Sequence, residues 1–443
     1  MPDSRLRRAR ARVAAAIGVS ALLGTAAIAA GPVGSAQAAP RPAAAADCSV
    51  PYRIEQKLDG GTTWRMCWHY ESKAGLVLDD VSYQPKGESA PIKVLTSARL
   101  GQIHVPYDDG SNEYDDLTGQ GFAQGLQQLD PAECPGGTIK TVRVPDAWDP
   151  DHPDVKGLCA TTRARGHAYR MGEDDLGAGG RNKVYQLQGK DLLLYTVNKV
   201  GWYEYITEWR FAGDGTMTMQ VGATGTLSPM DYDAGDGRGW PIGKGAKDYA
   251  TSHAHNVFWR LNFGLDGSPK SKVEQYDSKT TATAGRIPKT KTTRTAVGKE
   301  LAGDAAAARW WRVVSTAGKN KDGHPRSYEI VPGHTTKYQG RSFTKHDVYF
   351  TEYNKCEQFA SNNLRNCGAG AGKSVDRWVN GQTLKHPIVW VNIGFHHIAR
   401  DEDQEPMPVH WQGFQLAARD VTAMNPLTPP ALSGHNGHTE EAR

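Results

Sequence analysis

Short apolar runs with alternating polar positions recur along the chain and predict strands rather than helices. Four of them, at residues 192–195, 203–211, 257–263 and 388–393, are rich in β-branched or aromatic residues and are bounded by Gly, Asp or Asn. The best helical segment is the alanine-rich stretch 298–310, and it is short. The pattern therefore predicts an all-β dominated fold, a large β-sandwich with long loops and few short helices.

Turn-forming residues are spread along the whole chain. The 49 glycines and 25 prolines are scattered, which is typical of many short strands joined by turns. A Lys- and Thr-rich stretch at 268–299 and a Gly- and Ala-rich stretch at 368–373 are expected to be exposed loops. No internal repeat or internal boundary is visible, so we expect one domain over residues 47–430 and a disordered tail over residues 431–443.

The first residues have the layout of a secretory signal. A basic cluster at 5–12 precedes an apolar, alanine-rich stretch at 13–30, and a small-residue cleavage-type site follows at 36–38. A membrane anchor is the alternative, but a Gly-Pro pair breaks the apolar run. We therefore expect a signal peptide over residues 1–38, an Ala/Pro-rich tether over residues 39–46, and a secreted mature chain that nowhere spans a membrane.

Charge and cysteine content narrow the class of protein further. A net charge of +4 on 443 residues, without a basic stripe interleaved with aromatics, gives no support to nucleic-acid binding. Six cysteines in an exported chain favour three disulfides. Metal ligation by cysteine is the alternative, but no Cys-x-x-Cys spacing occurs. Of the fifteen formal pairings, sequence order suggests three neighbour pairs: Cys48 with Cys67, Cys134 with Cys159, and Cys356 with Cys367.

Two histidine-containing segments, each beside an apolar strand, suggest a metal site. His253 and His255 flank one alanine just before an alternating strand, and side chains at i and i+2 of a strand share a face. A third ligand must come from elsewhere, and the pair His396 and His397 follows the strand at 388–393. Three neutral imidazoles suit Cu(II) or Zn(II). Hydrogen-bonded structural histidines are the alternative.

The segments that carry these histidines resemble the catalytic domain of copper amine oxidases. The run 253–267 is similar to the His-x-His strand of that family, and the run 389–426 is similar to the segment that carries its third histidine. In the family motif the ligand directly precedes Ile-x-Arg, which selects His397 over His396. The resemblance extends, in order, over residues 52–426.

The resemblance implies a large β-sandwich, usually homodimeric, that holds one type 2 copper ion and a topaquinone made from one of its own tyrosines. It also implies that the small N-terminal domains of many members are missing here. Cys134 and Cys159 fall where the family has a disulfide, which favours that pair. Calcium is a doubtful cofactor, because Asn262 and Gly264 stand where calcium-binding members place carboxylates.

The quinone-forming motif of the family is retained only in part. In the motif Thr-x-x-Asn-Tyr-Asp/Glu-Tyr the first tyrosine becomes topaquinone, and Tyr203 matches it. Lys199 replaces the Thr, and Trp202 replaces the Asn that adjoins the quinone. An indole has one donor and no amide acceptor, so it cannot reproduce both hydrogen-bonding roles of Asn. A cofactor precursor and an ordinary strand tyrosine are both open readings of Tyr203.

The family's substrate-side residues have matches before the first histidines. Tyr107 matches the tyrosine that hydrogen-bonds the quinone oxygen, and Tyr114 matches the gate tyrosine. Asp116, two residues later, matches the base that removes the substrate proton, with Asp115 as the fallback. An acidic surface turn is the alternative for this segment.

The resemblance implies oxidative deamination of a small primary amine by O2 to aldehyde, ammonia and hydrogen peroxide. The main alternative is a copper-binding, amine-oxidase-like protein or partner subunit without turnover, which the changes at Lys199 and Trp202 favour. An extracellular binding or adhesion sandwich explains less, because it leaves the coincidence of Tyr203, Tyr107 and the histidines without a reason.

Overall fold

Eighteen strands, seven 3₁₀ helices and one short α-helix form the described part of the chain. A computed structural model describes residues 48–110, 118–172, 184–228, 235, 237–245, 251–282, 285–305, 308–333, 335–336, 340–361, 367 and 373–432. The strands predicted at 192–195, 203–211, 257–263 and 388–393 are confirmed. Within these residues no helix combines the length and the apolar character needed to cross a membrane.

The strands form two large antiparallel sheets. The first runs in the order β1-β2-β3-β4-β10-β17-β16-β13. Its strands are β1 (Arg53–Lys57), β2 (Thr63–Glu71), β3 (Gly75–Gln84), β4 (Ile92–His104), β10 (His253–Phe263), β13 (Leu301–Gly303), β16 (Val348–Glu352) and β17 (Pro387–His397).

The second sheet runs in the order β12-β11-β14-β15-β18-β9-β8-β7-β6-β5. Its strands are β5 (Thr138–Arg143), β6 (Asp154–Gly172), β7 (Val184–Val200), β8 (Tyr203–Ala212), β9 (Met217–Gly225), β11 (Ser271–Thr281), β12 (Lys289–Val297), β14 (Arg309–Lys319), β15 (Pro325–Pro332) and β18 (Met407–Arg419). The α-helix α1 is Val375–Trp378, and the 3₁₀ helices are Val50–Tyr52, Ala123–Gly125, Pro131–Glu133, Leu265–Gly267, Ser342–Thr344, Asp401–Asp403 and Pro430–Leu432.

Large aromatic side chains from both sheets fill one shared core. Trp209 of β8 meets Trp259 of β10 edge to face, with ring centroids 4.7 Å apart. Trp64 of β2 donates its indole N–H to the carbonyl of Ala212 at the end of β8, at 2.8 Å. Because buried indoles bring both apolar area and a donor that needs a partner, these contacts fix how the two sheets face each other. The predicted all-β fold with few short helices is confirmed.

β10 is buried at every position because both faces of its sheet are covered there. Its odd-numbered residues face the second sheet, as Trp259 does. On the opposite face, Phe258 packs with Phe343 and with a smaller cluster that includes Trp378 and Trp390. The histidine-bearing end of β10 thus lies in a buried, water-poor part of the fold.

All six cysteines are paired as predicted from sequence order. The disulfides are Cys48–Cys67, Cys134–Cys159 and Cys356–Cys367, with Cα–Cα distances of 5.2, 5.7 and 5.4 Å. Disulfides of this kind are typical of proteins that fold in an oxidising compartment.

The predicted helix at 298–310 is wrong. Residues 301–303 form strand β13, which pairs with β16, and β14 begins at Arg309. Gly303 lies against the indole of Trp311, where an added Cβ would come within 2.6 Å of a ring carbon. Strand pairing and this close packing override the helical preference of the alanines.

The predicted loop at 268–299 is also wrong, because most of it forms the antiparallel pair β11 and β12. The Thr-rich sequence suits strands, since Thr is β-branched, and polar residues are tolerated because β12 is exposed along almost its whole length and β11 is exposed toward its end. Of the second predicted loop at 368–373, residues 368–372 lie outside the described part of the chain.

Candidate metal centre

Pairing of β10 with β17 brings three histidines together. In this antiparallel ladder His253 lies opposite His397, and His255 shares a face with His253. One nitrogen from each ring lies within 4.8 Å of the other two. All three side chains are buried. Neighbouring His396 points elsewhere and contacts Asp108, with 2.8 Å between Nε2 and a carboxylate oxygen.

The hydrogen bonds define which nitrogen of His253 and which nitrogen of His397 is available. Nδ1 of His253 faces the carbonyl of Thr251 at 3.2 Å, and Nε2 of His397 faces Asp403 at 2.9 Å. Carbonyl and carboxylate oxygens only accept, so these two nitrogens carry the protons. The lone pairs are therefore on Nε2 of His253 and Nδ1 of His397, which both point to the same place.

His255 completes the set with an unsatisfied nitrogen. Its Nε2 is buried and has no hydrogen-bond partner among the described residues. Burial lowers the pKa of His253 to about 3, helped by nearby His397, and it holds the pKa of His255 well below its usual value. Neutral imidazoles with lone pairs aimed at one point are the form that binds a metal, so the donor set fits a cupric ion.

Tyr203 lies directly against this set. Its hydroxyl oxygen is 2.9 Å from Nε2 of His253 and 3.0 Å from Nδ1 of His397. The side chain is only 3% exposed, and burial raises its pKa well above the usual value. Tyr205, two residues along β8, stacks on the Tyr203 ring, and its hydroxyl oxygen lies 3.4 Å from Nδ1 of His255. The tyrosine singled out in the sequence thus contacts all three candidate ligands, His253 and His397 through its hydroxyl and His255 through its ring.

Tyr107 and Trp202 also lie beside the three histidines. The Tyr107 ring stacks on His253 with centroids 4.6 Å apart. The indole of Trp202 donates its N–H to the Tyr107 hydroxyl at 3.0 Å. Trp202 stands in the turn between β7 and β8, so it is adjacent to Tyr203 in the chain and in space. The proposed substrate-side residues Tyr114, Asp115 and Asp116 lie outside the described residues.

Three neighbours of the site were not assigned a role from the sequence. Asp403 is fully buried, and although burial raises its pKa, hydrogen bonds from His397 and His410 bring the pKa below the usual range. Met407 places its sulfur 3.8 Å from the Tyr203 hydroxyl. Met407 could have been found from its match within the segment 389–426, which resembles the copper amine oxidase family. His410 has no such signal in the sequence.

The fold and this site define the class of molecule, a two-sheet β protein with a buried cluster of three histidines beside a tyrosine. The chain belongs to the copper amine oxidase family, since the family model described as "Copper amine oxidase, enzyme domain" matches residues 61–431.

Two relatives are similar to this chain over most of its length. The peroxisomal copper-containing amine oxidase alpha 2 of Arabidopsis thaliana is 25% identical over 414 residues, covering 85% of this chain and 60% of its own length. The primary amine oxidase of Arthrobacter sp. (strain P1) is 25% identical over 413 residues, covering 86% of this chain and 61% of its own length. The chain therefore spans about three fifths of these relatives.

Solved structures show the same fold. A copper-containing benzylamine oxidase from Hansenula polymorpha superposes with a TM-score of 0.70 at 20% identity, over 84% of this chain and 62% of that one. The Pichia pastoris lysyl oxidase gives a TM-score of 0.68 at 16% identity, over 82% of this chain and 52% of that one.

Proposed function

We propose that the chain holds one copper ion through His253, His255 and His397 and converts Tyr203 into topaquinone. The mature protein would then oxidise small primary amines with O2 to aldehyde, ammonia and hydrogen peroxide. The observation that carries the proposal is the Tyr203 hydroxyl at 3.0 Å or less from nitrogens of His253 and His397. Bound copper would supply redox chemistry with O2 at the tyrosine ring, without another enzyme.

The chain's own residues would hold the ring and exclude water. Tyr203 is packed between Tyr205 and the imidazoles of His253 and His255, which limits rotation of its ring. Burial of this cluster keeps the surroundings of low polarity, so charges that develop there interact strongly with fixed dipoles. On the substrate side we propose Asp116 as the base that removes the proton next to the amine nitrogen, with Asp115 as the fallback and Tyr114 as the gate.

A second candidate is a copper-binding protein without amine turnover. The Trp202 indole donates to the hydroxyl oxygen of Tyr107, so an indole lies beside the tyrosine that the family resemblance assigns to the quinone oxygen. A quinone at Tyr203 would lie next to this bulky indole, and it would lack the amide that most members provide at position 202. This observation favours a centre that binds copper but forms the quinone slowly or not at all.

We also propose export and assembly as a homodimer, while calcium stays a doubtful cofactor. Three disulfides support an oxidising compartment. Homodimer formation is supported only by family membership. Calcium is doubtful because the Asn262 amide oxygen accepts a hydrogen bond from His386 at 2.7 Å and no carboxylate stands at positions 262 and 264.

The test is to add Cu(II) to the metal-free protein in air. We expect visible quinone absorption and a phenylhydrazine adduct that peptide mass spectrometry places at residue 203. Tyr203→Phe should abolish both signals. Tyr205→Phe is the matched control, since it removes the neighbouring hydroxyl on the same strand face, and it should retain them. A copper-bound but colourless and unreactive wild type would reject the oxidase and support the second candidate.

A further inference from the structure

The imidazole of His397 is held from two opposite sides. Nδ1 lies 3.0 Å from the Tyr203 hydroxyl, and Nε2 lies 2.9 Å from a carboxylate oxygen of Asp403. Because the carboxylate can only accept, the proton is kept on Nε2 and the lone pair is kept on Nδ1. Asp403 thus decides which nitrogen His397 presents to the candidate metal position.

Asp403 is itself fixed by several donors. His410 lies 2.9 Å from its second oxygen, and the Arg400 backbone N–H donates to its first oxygen at 3.1 Å. The Arg400 side chain adds an ion pair at 3.5 Å. The carboxylate has no solvent-exposed area, so these partners replace water completely. Its position is therefore set by β18, which carries His410, and by the short turn that follows β17.

His410 also reaches a second candidate ligand through an aromatic ring. Its imidazole is nearly parallel to the Phe395 ring, with centroids 5.8 Å apart and planes at 10°. Phe395 is in turn nearly parallel to His255, at 4.6 Å and 13°. The ring of His255 cannot tilt away from its place without moving Phe395, and Phe395 is backed by His410.

We propose that Asp403 and His410 are positioning residues of the metal centre. Asp403 fixes Nδ1 of His397 toward the ion, and His410 holds Asp403 while it backs His255 through Phe395. The inference rests on the proposed copper site. A carboxylate that accepts the second N–H of a metal-binding imidazole fixes its orientation and makes it a stronger donor, which explains why a buried charge is retained here.

A second metal ion is the competing use of these residues. His397, Asp403 and His410 also place one ligand atom each within 4.8 Å of the others. The surroundings argue against a cation, because both Asp403 oxygens already accept N–H bonds and the Arg400 guanidinium lies beside them. A cation there would also have to displace the proton of His397 Nε2. The test separates the two uses.

The experiment measures Cu(II) affinity by competition with a chelator, together with the EPR spectrum of the bound ion and the melting temperature of the metal-free protein. We expect Asp403→Ala to weaken copper binding about 10- to 100-fold and to alter the EPR parameters. Asp403→Asn should lose less copper affinity than Asp403→Ala, because its amide oxygen can still accept the His397 N–H. His410→Phe keeps an aromatic ring against Phe395 but loses the bond to Asp403, and it should also weaken binding.

Asp266→Asn is the matched control. Asp266 is a partly buried carboxylate with hydrogen bonds, from Ser315 and Arg326, but it follows the far end of β10. Asn tolerates its positive φ of 55°. This variant should bind copper as the wild type does, even if its melting temperature falls. If Asp403→Ala does not fold, His410→Phe still decides the question.

The outcomes distinguish a failure of the proposed copper site from a failure of the positioning role. A folded wild type that binds no copper would reject the proposed function and this inference together. Wild type that binds copper, with Asp403→Ala or His410→Phe equal to it in affinity and EPR spectrum, would reject the positioning role alone. Binding of one additional zinc ion per copper-loaded chain, lost in His410→Phe, would show a second metal site and also overturn the positioning role.

Discussion

The indole N–H of Trp202 donates to the hydroxyl of Tyr107 at 3.0 Å, directly beside buried Tyr203 and the candidate metal centre. The Tyr107 ring stacks on His253, so this contact ties the turn between β7 and β8 to a candidate ligand. A residue that differs from the family pattern is thus part of the hydrogen bonding around Tyr203, and not an exposed substitution.

Trp202→Asn is expected to increase quinone formation. The change removes the bulky indole and supplies an amide at position 202, and one hydrogen bond of about 1.4 kcal/mol corresponds to a rate change of about tenfold. The measurement is the initial rate of growth of visible absorbance after Cu(II) is added in air. Trp202→Phe is the control, since it removes the indole N–H but adds no amide, and a smaller gain is expected. Equal rates in all three proteins would contradict a restraining role for Trp202.

Trp259→Ala is expected to lower the free energy of unfolding by about 3–5 kcal/mol, because it leaves a large cavity in the core. Trp259 is fully buried in β10 and meets Trp209 across the two sheets. The measurement is urea denaturation of the metal-free protein. Trp240→Ala removes an indole that is 58% exposed, and it should change stability by no more than about 0.5 kcal/mol. Similar losses in both variants would contradict the assignment of β10 to the shared core.

The sequence predicted the four strands and the three clustered histidines, because each is marked by a pattern within a few consecutive residues. The i, i+2 spacing of His253 and His255 is a property of one strand, and an apolar run marks β17 before His397. The predicted helix at 298–310 failed because pairing of β13 with β16 is not visible in an alanine-rich sequence. His410 could not be found, since its role depends on β18 passing beside the turn that contains Asp403.

Stability is expected to fall as the pH rises through the titration of His69. Burial lowers the pKa of His69, but hydrogen bonds to Asp79 and Glu71 outweigh it and raise the pKa to about 9. The folded pKa lies above the ordinary value of 6.5, so the stabilisation is fully present below pH 6.5 and is lost as pH rises through about 9. Because the imidazole is partly exposed, we expect a loss on the order of 2 kcal/mol.

The measurement for His69 is urea denaturation of wild type and His69→Gln at about pH 6 and about pH 10. The wild type should be the more stable protein at the lower pH, and the difference should shrink at the higher pH. His152→Gln, at a side chain that is 83% exposed, is the control and should show no such change. A difference between wild type and His69→Gln that stays constant across the two pH values would contradict the prediction.

His397→Ala and His396→Ala are expected to separate a metal ligand from its immediate neighbour. His397 faces Tyr203 and the other two histidines, whereas the side chain of His396 is 41% exposed and bonded to Asp108. Copper at about 100 times its Kd should stabilise wild type and His396→Ala by about 2.7 kcal/mol, because the ion binds only the folded state. Thermal unfolding with and without Cu(II) measures this, and His397→Ala should lose most of the increase. Equal copper-dependent stabilisation of both variants would mean that the ion binds elsewhere, because only His397 has a lone pair aimed at the proposed centre.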